Sequence, residues 1–112
     1  MTKASAVERE VNATLATINF EPYSTEQSNT ARVLAGWKLV ENKGFWLGTT
    51  YTLVEMSVTK DSIEFFIRSD NRWNKDAVKK IQDDLTQMAV NKFPDLKVHA
   101  VLWSSFMNGW PN

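Results

Sequence analysis

The chain reads as a small α+β domain of order α-β-β-β-α-β, a four-stranded, mostly antiparallel sheet with two helices packed on one face. Three observations predict it. Residues 31–68 form successive runs that alternate apolar and polar side chains, with turn chemistry between them. A stripe of helical period precedes these runs and a stronger one follows. Lys97 to Ser104 then returns to alternation.

Taken in order, Ser5-Ala6-Val7-Glu8 has the form of a capping box, and Val7, Val11, Leu15 and Ile18 follow at helical spacing. Asn19 to Asn29 contains Pro22 and a polar run, with Phe20 and Tyr23 as anchors, and reads as a loop into the first strand. Ala31 to Val40 puts Val33, Ala35, Trp37 and Leu39 on a dry side, with Arg32, Leu34, Gly36 and Lys38 opposite. Glu41-Asn42-Lys43-Gly44 supplies a hairpin turn ending in a residue tolerant of positive φ. Phe45 to Val58 is aromatic and β-branched, as a pleated strand prefers, and Gly48 is the place for a bulge or bend. After the polar turn Thr59-Lys60-Asp61-Ser62, Ile63 to Arg68 sets Ile63, Phe65 and Ile67 against Glu64, Phe66 and Arg68. Asn74 is placed to cap a helix from Lys75 to Phe93, whose stripe is Val78, Ile81, Leu85, Met88 and Ala89 and which Pro94 ends. Lys79 with Asp83 and Lys80 with Asp84 are i, i+4 pairs on its polar side. The last strand alternates Val98, Ala100 and Leu102 against His99, Val101 and Trp103. If the second helix is a crossover, this strand runs parallel to the third, next to it or beyond the first.

A length of 112 residues suits one domain with one core. Lys+Arg 13 against Asp+Glu 13 leaves no net charge, so no global field points to nucleic acid or an anionic membrane. The absence of cysteine excludes disulfides and cysteine-based metal or redox sites, and it fits the cytoplasm. Met1 to Glu10 is too charged for a secretory signal, and no run is long and apolar enough to span a bilayer. Asn12-Ala13-Thr14 has the form of a glycosylation sequon but falls inside the first helix.

The functional expectation comes from cover. Two helices spaced about 10 Å apart shield one face of a sheet whose strands lie about 4.8 Å apart, and little more. By alternation the other face receives Leu34, Tyr51, Leu53, Phe66, Val101 and Trp103 among Lys38, Glu55, Glu64, Arg68 and His99. A face built for water alone is polar; aromatic anchors in a charged surround suit a partner. A first helix crossing to that side, or the loop and tail folding over it, would close the opening. Of the tryptophans, Trp37 and Trp46 are expected in the core, and Trp73 beside the second helix start as a staple. Trp103, Phe106 and Trp110, near the end of the chain, join the partner-binding set.

The order of elements is similar to that of the core of the restriction-endonuclease-like nucleases, a resemblance that implies an acidic residue followed by an acid-x-Lys triplet on adjacent strands. Glu41-Asn42-Lys43 and Asp95-Leu96-Lys97 have the triplet form, but no Asp precedes Glu41 and Asp95 follows the second helix. Where the lysine belongs, Glu64-Phe65-Phe66 has none. The single histidine, His99, lacks a sequence partner for catalysis, and one histidine without cysteine makes a poor zinc set. Gly36, Gly44, Gly48 and Gly109 form no phosphate-binding loop, and Ser104-Ser105 has no nearby base. No catalytic residue, metal or cofactor is implied.

A rival expectation is a single-stranded nucleic-acid-binding domain, with Tyr51, Phe66 and Trp103 stacking on bases and Arg68, Arg72, Lys75, Lys79, Lys80, Lys92 and Lys97 nearby. Asp70, Asp76, Asp83, Asp84 and Asp95 interleave with those cations and weaken the field it needs. The expectation is therefore a non-enzymatic protein-interaction module: a homodimer, adaptor, inhibitor or assembly subunit. It would bind a protein partner or itself through the open face and the tail.

Overall fold

A computed structural model of the chain describes residues 3–27, 33–42, 44–46, 48–69 and 75–104. The elements are α1 (Lys3–Ala16), β1 (Glu21–Gln27), β2 (Val33–Asn42), β3 (Thr49–Val58), β4 (Ser62–Ser69), α2 (Lys75–Lys92) and β5 (Lys97–Ser104). The expected α+β class is the one found, with one more strand than expected. The sheet runs in sequence order from β1 to β5; the first four strands are antiparallel neighbours and β5 lies parallel to β4.

The additional strand is β1, inside the stretch expected as a loop. It hid from the sequence because it is an edge strand: Pro22 is tolerated where only one side is paired, and its polar residues show no alternating apolar set. The pairing slips between Pro22 and Ser24, a bulge in the strand.

Alternation decides the two faces. On one face lie Ala35 and Trp37 of β2, Val54, Met56 and Val58 of β3, Ile63, Phe65 and Ile67 of β4, and Leu102 of β5, all buried. Both helices pack on this face. Helix α1 presents Val7, Val11 and Leu15, each fully buried, and the Asn12 carboxamide oxygen accepts a hydrogen bond of 3.0 Å from the Trp37 indole nitrogen. Helix α2 presents Val78, Ile81, Leu85 and Ala89, the stripe read from the sequence. Its Gln82 side chain donates to the Ala100 carbonyl at 2.7 Å, which ties α2 to β5, and Lys92 pairs with Glu10 across the two helices. The Lys80–Asp84 pair forms at 2.8 Å.

Turn chemistry accounts for the ends. Asn19 adopts the left-handed conformation at φ 69°, while the Phe20 amide donates to the Leu15 carbonyl and the Asn19 amide to that of Ala16. That is a Schellman closure, with Asn where glycine is commonest and Phe20 buried just beyond it. It turns the chain from α1 into β1. Helix α1 begins at Lys3, so Ser5 lies inside its first turn and is not the cap the sequence suggested. The β3–β4 turn closes as expected: the Thr59 hydroxyl accepts from the Ser62 amide at 3.1 Å, and Asp61 offers its carbonyl to the Lys97 amide at 3.0 Å. Trp73 and Asn74 fall outside the described residues.

Asn19→Val places a β-branched residue in the left-handed region and removes this closure. The expected outcome is a loss of about 1–2 kcal/mol, read as a lower denaturant midpoint with unchanged slope. Asn19→Gly is expected to match or exceed the wild type.

Candidate functional site

With both helices on one side, neither described helix covers the opposite face of the sheet. The in-register pairs place its residues in cross-strand rows. Nearest the β2–β3 hairpin is Val40 beside Tyr51; next come Lys38, Leu53 and Arg68, followed by Gly36, Glu55, Phe66 and Val101, and then by Leu34, Ser57, Glu64 and His99. The sequence-predicted residues Leu34, Tyr51, Leu53, Phe66, Arg68, His99 and Val101 therefore share one face. Tyr51, Phe66 and Val101 keep 49%, 46% and 49% of their surface in water, while Leu34 and Leu53 are half-buried between neighbours. Trp103 pairs with Arg68 in the backbone register; Phe106 and Trp110 lie outside the described residues.

The middle of the face contains a feature the sequence reading missed. The Tyr23 ring, projected from the bulge in β1, lies directly across Gly36: a Cβ built on Gly36 would stand 2.7 Å from Tyr23 Cζ. Only glycine leaves room for that approach. Tyr23, Leu34, Gly36, Glu55 and Phe66 line a hollow of about 330 Å³, with rings on two sides and one carboxylate. Glu55 Oε1 stands 3.8 Å from the Arg68 guanidinium, a loose, half-exposed pair. Burial raises the Tyr23 phenol pKa above its ordinary 10.0, the Glu55 carboxylate adds to the rise, and Arg68 offsets part of it. A lone glycine in an otherwise good strand was the available signal.

The hairpin tip corrects a second expectation. The strand expected from Phe45 starts only at Thr49, because Gly44 and Gly48 both take positive φ and close a loop, with the Gly48 amide donating to the Gly44 carbonyl at 2.8 Å. Trp46, expected in the core, is instead 91% exposed, as is Phe45, and the two rings meet edge to face with centroids 5.4 Å apart. The loop carries them beyond the last paired residues of β2 and β3, Asn42 and Thr49.

On the helix side, Ile18, Phe20, Leu39, Thr52, Val78 and Ile81 line a slot of about 240 Å³ at the seam between α2 and the sheet, with the Lys80–Asp84 pair at its rim. The Thr52 and Ser69 hydroxyls satisfy each other at 3.1 Å in the core there. The acidic residues that prompted the nuclease comparison do not gather: Glu41 faces the helices from β2, Glu64 faces the other way from β4, and Asp95 lies in the turn after α2. Among the described residues no group of three His, Cys, Asp or Glu is arranged to hold a metal ion. No described helix is long and apolar enough to cross a membrane. Searches against protein-family models, curated proteins and solved structures find no match to this chain.

Tyr23 supplies a pH test. Its raised folded value means that the stability contributed by the neutral phenol is complete below pH 10.0 and is lost as pH rises through the folded value. Phenolate absorbance, with Tyr23→Phe as the blank, should show Tyr23 titrating above 10.0. Gly36→Ala should expel the ring, return that titration toward the ordinary value, and change stability by no more than about 1 kcal/mol. An unmoved titration in Gly36→Ala would place the ring elsewhere.

Proposed function

We propose that this chain is a non-enzymatic protein-interaction module that uses the open sheet face to bind a protein partner, working in the cytoplasm. The observation that carries this reading is the one-sided cover. Both helices pack on the Trp37 face, and Tyr51, Phe66 and Val101 remain half exposed on the other, with the Leu53 row between Tyr51 and the Phe66 row. Isolated apolar side chains are ordinary on any surface. Here they lie beside Leu34, Leu53 and the Tyr23 ring, with Lys38, Glu55, Glu64 and Arg68 interspersed in the same rows, apolar anchors set among charges. The exposed Phe45–Trp46 pair extends the same hairpin and offers a second anchor beyond the sheet.

Single-stranded nucleic acid is the competing partner class, favoured by Tyr51 and Phe66 next to Lys38 and Arg68. The same face carries Glu55 and Glu64, which oppose a phosphate chain. Retention on single-stranded nucleic acid that weakens as salt is raised would select that class instead.

The test is Phe66→Asp, with Lys79→Glu on the outer side of α2 as the control. Phe66 lies outside the core, so Phe66→Asp should shift stability by about 0.5–1 kcal/mol at most. Association, measured by solution mass and by co-purification, should disappear in Phe66→Asp and persist in Lys79→Glu. Equal association in Phe66→Asp with native-like melting would reject this surface.

A further inference from the structure

Gly44-Phe45-Trp46-Leu47-Gly48, in the connection from β2 to β3, holds no charged residue, and Glu41 and Lys43 just before it carry opposite charges. Backbone geometry sets the course of this tip. Gly44 and Gly48 take φ 97° and 69°, and a Cβ on either would meet nothing within 4 Å, so glycine serves the turn and not a close neighbour. The Gly48 amide donates to the Gly44 carbonyl at 2.8 Å, and the Gly44 amide to Asn42 Oδ1 at 2.9 Å, so these polar groups are satisfied within the hairpin. On that closed turn Phe45 and Trp46 are each 91% exposed and meet edge to face, whereas the other large hydrophobic side chains described reach 50% at most.

Polarity rises with distance behind the tip. On the open face the first row is Val40 and Tyr51, half exposed and about 7 Å behind the Asn42–Thr49 pair. A further ~7 Å back come the first cations of that face, Lys38 and Arg68, with Glu21 at the β1 end of their row. Hydrocarbon excludes unpaired polar backbone and charge, and the tip offers neither in the groups just described. Tryptophan and tyrosine favour the boundary between hydrocarbon and water, with lysine and arginine reaching the phosphates behind it. Rings, then a tyrosine, then cations is the depth order of a bilayer interface. A convex point of two rings enters such a medium without a hole of matching shape, whereas a protein would have to supply one.

We infer that the β2–β3 hairpin tip is a peripheral membrane anchor, with Phe45 and Trp46 entering the interface of a phospholipid bilayer and Tyr51 standing at the headgroups. Insertion by about 5–10 Å stops short of Lys38 and Arg68. A loop of this kind neither crosses the bilayer nor depends on a global field, so the lack of a spanning helix among the described residues and the zero net charge do not bear on it. Two rings give a weak, reversible attachment. Phe66, two rows behind Tyr51, stays outside the lipid, and the anchor is independent of what the open face binds.

Sedimentation of the full chain with vesicles tests it, using phosphatidylcholine alone and phosphatidylcholine mixed with phosphatidylserine, each at low and high salt. The wild type should sediment with both, and salt should release little of it. Phe45→Ser and Trp46→Ser should each lower the partition coefficient roughly tenfold, and the double variant should stay in solution. Both rings lie in water, so all three variants should melt as the wild type does. Phe66→Asp should sediment like the wild type. Trp46 emission, taken as the difference between the wild type and Trp46→Phe, should move to shorter wavelength when vesicles are added. A wild type that stays in the supernatant overturns the inference, as does sedimentation that the double variant retains, or that needs the anionic lipid and is abolished by salt. If Phe66→Asp releases the chain and the tip variants do not, the sheet face is the lipid contact and the tip is not. If the wild type ignores vesicles while the double tip variant loses a co-purifying protein, the tip is a protein contact and the bilayer is excluded.

Discussion

Trp37 stands where α1 meets the sheet, and its indole fixes which side of the sheet the helix occupies. The ring is buried among the residues of one face, and its nitrogen donates to Asn12 in the middle of α1. A buried indole N–H without an acceptor is costly, so the bond selects an orientation of α1 as well as a place for it. Val7, Val11 and Leu15 then bury on the same side, and Lys92 reaches Glu10 to join the two helices. With α1 committed there, neither described helix covers the opposite side of the sheet.

The sheet itself carries this asymmetry into chemistry. Because β2, β3 and β4 pair without a slip, each residue on this face has fixed lateral neighbours, and apolar and charged side chains alternate within its rows. The one irregularity, the bulge at Pro22, lets Tyr23 lie over Gly36 and makes a concave place in an otherwise flat grid. Strand pairing thus supplies order, and the bulge supplies shape.

How much of this was legible in the sequence follows from how each segment is stabilised. The core of the meander showed itself because Val54, Met56, Val58, Ile63, Phe65 and Ile67 are buried on one side only, which forces alternation. Helix α2 was legible for the same reason at a different period. Strand β1 was not, because an edge strand is held by backbone pairing more than by side-chain burial, and Pro22 argued against it. The hollow went unread with it, since one of its walls is Tyr23. Trp46 was misplaced because residue type reports how much apolar surface a side chain has, not which way a loop carries it; Gly44 and Gly48 decided that. The open-face residues Leu34, Tyr51, Leu53, Phe66 and Val101 came out together because their positions depend only on the parity of strands that were read correctly.

The parallel pairing of β4 with β5 has a consequence for the order of assembly. Antiparallel neighbours from β1 to β4 are joined by short connections and zip locally, whereas Ser62 must wait for Lys97, on the far side of a whole helix, before that ladder closes. Contacts so distant along the chain are slow to form because loop closure comes before any gain. During that interval β4 presents a bare edge of unpaired amides and carbonyls, a template for any extended peptide in the vicinity. Biosynthesis lengthens the exposure, as β5 is made only after the whole of α2. The moment of greatest risk for this ladder is therefore its own birth, just before β5 arrives.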